Sequence, residues 1–241
     1  MASQKSESDY PAPYISPITF ILIVLGLAGG MFAAMLIFPA WVPNIVSSLV
    51  GPAPKAFWYL SRSSAFLAFN LLWLSMVMGL LLTTKVARSW PGAAVAFAVH
   101  EFVSLLGVIF SIFHAFILLG DKFIDFSLNG LIIPFRSTYL PFWVGLGQIG
   151  FFGMLLVSLS YYLRKRIGNK SWRLIHYINF LIYPASLFHG LMAGSDTSLQ
   201  GVQLFYWSTG AILVFLVILR IVNAVSDWLL PKEVQGSRKS V

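Results

Sequence analysis

The sequence predicts an all-α membrane protein: a bundle of six transmembrane helices with both termini in the cytoplasm. Hydrophobic residues make up 58% of the chain and charged residues 10%, whereas an ordinary soluble domain has about 25% charged residues. The apolar residues form six runs, each long enough to cross the roughly 30 Å hydrocarbon core of a bilayer. With six spans, 12 of the 16 basic residues share one side with both termini, and only Lys55, Arg62, Lys122 and Arg136 lie opposite. Because positive charge is retained in the cytoplasm, this imbalance sets the orientation.

The six runs divide the chain into one transmembrane domain, residues 18–230, between flexible tails at 1–17 and 231–241. The first run is too long for a cleaved signal core, so we expect a retained helix. The runs cover about residues 18–40, 59–83, 93–119, 141–163, 172–193 and 203–226.

The connections between the runs differ in character. Four prolines between residues 38 and 57 predict an exterior loop or a partly embedded turn. The connection over 120–141 has an apolar centre, which predicts a short re-entrant or surface-lying piece. The sequence RKRIGNKSWR, between the fourth and fifth runs, is the main basic patch. It is typical of an anchor to anionic lipid and would also suit an acidic redox partner.

All four histidines lie in two of the runs: His100 and His114 in the third, His176 and His189 in the fifth. At about 1.5 Å rise per residue, each helix holds its two imidazoles roughly 20 Å apart. In the predicted topology both helices run from inside to outside. His100 then faces His176 near the cytoplasm, and His114 faces His189 near the exterior. Two cross-helix pairs at two depths suit two stacked haems, each with its iron held from both sides.

The alternatives to haem ligation are structural histidines and a zinc site. Structural histidines are costly inside a membrane, where polar side chains tend to mark functional sites. Zinc is a weaker candidate, because tetrahedral sites need clustered ligands. One detail of the spacing needs a local distortion: 13 steps of about 100° end some 140° short of whole turns. Pro184 cannot donate to the Phe180 carbonyl, so we expect a kink or local rewinding that brings His176 and His189 to one face.

Three charged residues are candidates around these pairs, each with a structural alternative. Arg62 would neutralise a propionate of the outer haem or a nearby anion, or else snorkel to lipid headgroups. Glu101 would relay a proton or partner a basic residue near the inner haem, or else pair with a loop arginine at the interface. Arg173, within one turn of His176, is a candidate neighbour of an inner propionate.

Gly107 lies seven residues from both His100 and His114. A glycine there removes bulk where a planar ring approaches the backbone. Small residues also serve ordinary helix packing in membranes, and that alternative stays open.

The stretch from Trp58 to Tyr206 resembles the ferric reductase-like transmembrane domain, the six-helix haem core shared with NADPH oxidases and metalloreductases. The resemblance lies in LSRSSAFLAF of the second run, HEFVSLLGVIFSIFHAF of the third and WRLIHYINFLIYPASLFHGL of the fifth. It implies that His100 and His176 ligate an inner b-type haem, and that His114 and His189 ligate an outer one. Arg62 matches an arginine that this family places near the outer haem.

Other cofactors find no support in the sequence. There is no glycine-rich phosphate loop or βαβ unit, so we expect no flavin or NAD(P) site in this chain. The chain has no cysteine, which excludes thiolate and iron–sulfur ligands. Full-length members of the resembled family add flavin and nicotinamide domains after the sixth helix, and this chain ends in a short tail. The electron donor is therefore expected to be a separate partner.

The leading functional expectation is an oxidoreductase component of the cell (inner) membrane, a bis-haem cytochrome b. It would carry electrons from a cytoplasmic donor, either a flavoprotein or a quinol, to an acceptor on the outer side. Membrane lipids are the other expected partners; nucleic acid is not, because topology accounts for the basic charge. One alternative is a quinol-linked cytochrome b subunit with Glu101 near a quinone pocket. Another is a structural subunit of a larger membrane complex.

Overall fold

The computed structural model describes residues 16–41, 56–84, 86, 92–121 and 124–229. Every regular element in these ranges is helical, which confirms the all-α class. The predicted C-terminal tail (231–241), residues 1–15 of the predicted N-terminal tail (1–17) and residues 42–55 of the proline-rich connection lie outside the described residues. The α-helices of the described ranges are α1 (Pro17–Trp41), α2 (Ala56–Thr83), α3 (Ala93–Ile117), α4 (Leu128–Ile132), α5 (Pro141–Ile167), α6 (Asn169–His176), α7 (Asn179–Ala193) and α8 (Gln200–Leu229).

Four helical stretches of the described chain are long and apolar enough to cross a membrane: Ala56–Thr83, Ala93–Gly120, Pro141–Ile167 and Gln200–Ser226. They coincide with the predicted second, third, fourth and sixth spans. The other two predicted spans are also helical, as α1 and as the pair α6 and α7. Because α6 and α7 have 8 and 15 residues, neither alone reaches the roughly 20 residues of a full crossing.

The helices pack around a common apolar core. The most extensive contact joins α2 to α3; α5 packs on α6 and α7, and α8 packs on α2 and α7. Outward-facing apolar side chains on α8, such as Phe215 at 64% exposure, are suited to contact with lipid. The buried core consists of Phe69, Leu72, Leu80, Val108, Ile112, Met154, Val157, Ile182, Tyr183, Leu187, Tyr206, Leu213 and Leu216.

The fifth predicted run is interrupted by a tight turn at Tyr177 and Ile178. Around it, N–H groups donate to the carbonyl three residues back instead of four, at Ile178, Phe180 and Leu181. A three-residue turn rotates the chain by about 120° per residue instead of about 100°, so each such residue adds about 20°. The expected local rewinding is therefore present, but it precedes Pro184, which lies inside α7.

The connection between α3 and α5 contains short helical turns and is hydrogen-bonded to α5. After the 3-10 turn Leu118–Gly120, the 124–140 segment contains α4, whose first turn is capped by the Ser127 hydroxyl accepting from Gly130 N–H at 3.0 Å. Gln148 of α5 holds the segment: its amide donates to the carbonyls of Gly130 and Leu131 at 2.7 Å each. The connection therefore contains a one-turn helix fastened to α5; its surface-lying or re-entrant placement stays a prediction.

Candidate functional site

The structure brings the four histidines together as two cross-helix pairs. The ring centroids of His100 and His176 are 6.2 Å apart with planes at 69°, and those of His114 and His189 are 6.2 Å apart with planes at 65°. Because residues early in both segments meet, and residues late in both segments meet, α3 and the α6–α7 segment run in the same direction. The pairing therefore follows the arrangement that the sequence predicted.

The distance within each pair suits one metal ion between two trans imidazoles. An imidazole nitrogen binds a first-row transition metal at about 2.0 Å and lies about 1.1 Å from the ring centre, so trans rings have centroids about 6.2 Å apart. Direct ring contact would bring the centroids closer, to roughly 4.5–5.5 Å, although edge-on aromatic pairs extend to about 7 Å. The distance alone is therefore compatible with ligation and needs support from the ring orientation.

Hydrogen bonds to main-chain carbonyls fix the orientation of three rings. His100 Nδ1 lies 2.9 Å from the Ser75 carbonyl oxygen, His114 Nδ1 2.9 Å from that of Ser61, and His189 Nδ1 3.0 Å from that of Trp143. A carbonyl can only accept, so Nδ1 carries the proton in each ring. In a neutral ring Nε2 is then unprotonated and can bind a metal, which is the usual tautomer of a metal-ligating histidine.

Small residues make these hydrogen bonds accessible. A helical carbonyl points toward the residue four positions later, and a bulky side chain there would cover it. The residues four positions after the three acceptors are Gly79, Ala65 and Gly147. A Cβ at Gly147 would lie 2.7 Å from Cγ of His189, whereas one at Gly79 would lie 3.4 Å from Cε1 of His100. The fit around His189 is therefore the tighter one.

The acceptors on α2 also repeat the spacing of the histidines on α3. Ser61 and Ser75 are 14 residues apart, as are His100 and His114. The two helices run in opposite directions, so Ser75 meets His100 and Ser61 meets His114. This matched spacing is a signal that the sequence contained and that the sequence analysis did not use.

His176 is held differently. It ends α6, and its ring packs against Trp172 with centroids 5.4 Å apart. Trp172 is buried, whereas the side chain of Arg173 is exposed. On the neighbouring turn, the Arg220 guanidinium of α8 lies 5.9 Å from the Tyr177 ring centroid. Arg220, which the sequence analysis did not name, thus lies beside the residue that follows His176.

A cavity of 1470 Å³ adjoins the His114–His189 pair. Typical small-molecule sites measure about 300–1,000 Å³, so the volume is sufficient for a macrocycle. Its lining includes both histidines and Gly147, together with apolar side chains such as Phe69, Leu72 and Met154. Within the described ranges, no three His, Cys, Asp or Glu side chains converge on a possible metal position. Two histidines without a third protein ligand fit a haem, whose ring supplies four nitrogens, better than a zinc ion.

Arg62 lies at the edge of this cavity and has a partner that the sequence analysis did not assign. Its Nε donates to Asp196 Oδ2 at 2.6 Å, and a second guanidinium nitrogen contacts Oδ1. Its guanidinium carbon is 3.9 Å from the Trp58 ring centroid. Asp196 therefore compensates much of the Arg62 charge. Two of the five guanidinium N–H donors are used by Asp196, which leaves three for another acceptor.

The side chain of Glu101, a residue of α3, reaches α5. The Tyr162 hydroxyl donates to its Oε1 at 3.2 Å. Nearby, the Arg164 side chain is only 2% exposed and lies 4.5 Å from the Tyr161 ring centroid. Arg164 was expected to be part of the basic patch that anchors to lipid headgroups, whereas the structure buries its side chain beside Tyr161.

Gly107 is buried, and a Cβ there would meet Leu71 Cβ of α2 at 3.5 Å. The close approach of α2 and α3 therefore uses Gly107, as in the helix-packing alternative. The glycines beside histidine rings are Gly79 at His100 and, more tightly, Gly147 at His189. The sequence did not point to either of them, because each lies on a different run from its histidine.

Comparison of the chain with family models, with curated proteins and with solved structures finds no match.

Proposed function

We propose that the chain is a six-span membrane cytochrome that holds two b-type haems and carries electrons across the membrane. The observation that supports it most is the pair of histidine couples, each with centroids 6.2 Å apart. Three of these rings also have Nδ1 bound to a carbonyl and Nε2 free to ligate. When bound, each haem iron supplies one-electron exchange between its ferrous and ferric forms.

The residues of the chain would perform three tasks around these groups. His100 and His176 would hold one haem, and His114 and His189 the other. Main-chain carbonyls would keep the rings in the ligating tautomer. Arg62 has three N–H donors left for a propionate, although Asp196 reduces its net charge.

The proposed direction of transfer depends on the charge distribution. Twelve of the 16 basic residues fall on the side of both termini in the six-span arrangement, which favours N-in and C-in orientation in the cell membrane. The His100–His176 pair then lies on the inner side, next to an electron-donating partner, and the His114–His189 pair on the outer side. This makes the chain a component of an oxidoreductase, like the ferric reductase-like domain that it resembles.

The test is the haem content of the purified chain and of its histidine variants. We expect two haems per chain with six-coordinate, low-spin spectra. His114→Ala and His189→Ala should remove the same haem, and His100→Ala and His176→Ala the other. Phe102→Ala, an exposed position on α3, is the matched control and should retain both. Absence of haem from a folded chain, or loss that groups His100 with His189, would refute the proposal.

A further inference from the structure

The cavity beside His114 and His189 is larger than one cofactor needs. Its volume is 1470 Å³. Even a ligand that fills the upper end of the usual range, about 1,000 Å³, leaves roughly 470 Å³. That remainder is itself the size of an ordinary small-molecule site. A second ligand therefore has room beside the histidine pair.

The wall formed by the 124–140 segment faces two apolar environments. Leu131, Ile124 and Phe126 line the cavity. On the opposite surface, Leu128 and Ile133 are 53% and 47% exposed. A one-turn helix with apolar side chains outward is suited to the boundary of the hydrocarbon region, where an aqueous loop would carry polar groups. The 124–140 segment is thus a thin wall between the cavity and this apolar outer surface.

The charges at the cavity disfavour an anionic second ligand. Among the described residues that line it, the one cation is Arg62, and it is paired with Asp196. Asp121, buried at 2% exposure, contributes a second carboxyl group. In the described part of this lining, a fatty acid or a phosphate headgroup would therefore meet only the positive charge of Arg62, which Asp196 compensates. Hydroxyl groups of Thr138, Tyr139 and Ser186 at the lining can instead hydrogen-bond a neutral ligand.

We propose that this cavity binds a neutral, lipid-soluble quinone that enters past the 124–140 segment. The size, the apolar wall and the charge balance argue for a neutral lipophile. The choice of a quinone rests on the proposed function, because quinones are the neutral lipid-soluble small molecules that exchange electrons with haem proteins. The sequence analysis considered a quinone near Glu101, at the other histidine pair. The cavity instead favours the His114–His189 end.

The test uses the full chain in lipid nanodiscs and an azido-substituted decylbenzoquinone as a photoreactive probe. Mass spectrometry of the labelled peptides reports binding without any redox activity. We expect label on the 124–140 segment and on α2, with competition by unlabelled decylbenzoquinone and none by dodecanoate. Equal competition by dodecanoate would overturn the proposal, because it would show a general acyl-chain site.

Two tryptophan variants test the position of the ligand. Leu131→Trp fills the cavity from α4 and should reduce labelling at least fivefold. Leu128→Trp places the same ring on the outward surface of the same helix and should leave labelling unchanged. Equal labelling of both variants and the parent chain would overturn the site. Haem quantitation of the same samples distinguishes failure of the quinone site from failure of the proposed cytochrome. Bound haem without specific labelling would refute only the quinone site. Specific labelling without bound haem would refute only the proposed cytochrome.

Discussion

At the scale of single residues, the ring orientation of three histidines depends on main-chain carbonyls and on the small residues that uncover them. His189 illustrates this most sharply, because Gly147 leaves no room for a Cβ beside its ring. The His189 ring is also fixed by a hydrogen bond from its Nδ1 to the Trp143 carbonyl oxygen at 3.0 Å. Ligand geometry at this position therefore depends on a residue that carries no functional group.

Gly147→Ala should displace the His189 ring and weaken or abolish binding of one haem, the one that also needs His114. Gly79→Ala is the matched control, because its Cβ would lie 3.4 Å from His100 Cε1, an ordinary contact. The haem-to-protein ratio and the reduced-minus-oxidised spectrum check both variants. Two intact haems in Gly147→Ala would show that the ring has another position from which it can ligate.

Arg62 and Asp196 should shift a haem potential in opposite directions. Arg62→Gln leaves the Asp196 carboxylate uncompensated and disfavours the more negative, reduced form, so the midpoint potential falls. Asp196→Asn leaves the guanidinium uncompensated, so the potential rises. At an effective dielectric of about 20, a charge roughly 10 Å away is worth about 1.7 kcal/mol, and partial exposure of both side chains reduces this. Redox titration checks the signs; shifts in the same direction would contradict the electrostatic account.

The sequence predicted individual residues best where a residue type is rare in its surroundings. Four histidines inside apolar runs stand out because burying a polar side chain in a membrane is energetically unfavourable. Asp196 could not be assigned to Arg62, because 134 positions separate them and a turn aspartate is common. Arg164 was misplaced since a basic residue in a loop patch looks the same in sequence whether it is solvated or covered by Tyr161.

At the scale of elements, the 124–140 segment is the least regular described part of the site, and Gln148 of α5 is its main side-chain attachment, beside a hydrogen bond from the Tyr139 hydroxyl to the Ala193 carbonyl at 3.2 Å. Gln148 is 8% exposed and makes three hydrogen bonds to the segment: two donated, and one accepted from Phe135 N–H at 3.3 Å. Asp125, Phe135 and Leu140 have positive φ angles of 54°, 65° and 38°. Such conformations cost non-glycine residues of order 1 kcal/mol or more, so the segment needs that attachment.

Gln148→Leu should loosen the 124–140 segment without unfolding the bundle. The variant leaves the carbonyls of Gly130 and Leu131 without their amide donor, at a cost of about 1–3 kcal/mol for buried groups. Hydrogen–deuterium exchange should therefore rise in peptides from 124–140 and stay constant in α3. Gln203→Leu, which removes one exposed hydrogen bond to the Thr197 carbonyl, is the control. Unchanged exchange in Gln148→Leu would mean that packing alone holds the segment.

The sequence located this element but did not give its form. An apolar centre within a polar connection indicated a piece lying at or in the membrane surface. The attachment was not predictable, because a glutamine inside a predicted span is ambiguous without its partners. The rewinding near Pro184 was anticipated from the angular mismatch of the histidines, yet its position at Tyr177 and Ile178 required the backbone itself.

At the scale of the whole molecule, the histidine pairs establish that α3 and the α6–α7 segment are parallel. In a chain whose successive spans alternate in direction, parallel elements are separated by one antiparallel element, and α5 occupies that place. Composition and run lengths were sufficient to predict an all-helical membrane protein. They did not reveal that the fifth run is two shorter helices, because hydropathy is insensitive to a tight turn between apolar residues.

Cysteine labelling should place the two ends of the bundle on opposite sides of the membrane. The chain has no cysteine, so single substitutions report without background. Asn169→Cys, in the exposed basic connection, should react only with reagent that reaches the cytoplasm. Ser198→Cys, between α7 and α8, should react from outside with an impermeant maleimide. The reverse pattern would mean that the distribution of basic residues does not set the orientation of this chain.

Ser61 and Ser75 on α2 have the same spacing as the two histidines on α3. This match restricts where residues can be inserted into the two helices. The two helices are antiparallel, and each carries its two contact residues 14 positions apart. One residue inserted between the two serines, or between the two histidines, would shift the later contact residue by about 1.5 Å along its helix and rotate it by about 100°. One histidine would keep its carbonyl while the other lost it. Only a matched insertion in both helices would preserve both contacts, so this region should tolerate substitution at many positions and insertion at almost none.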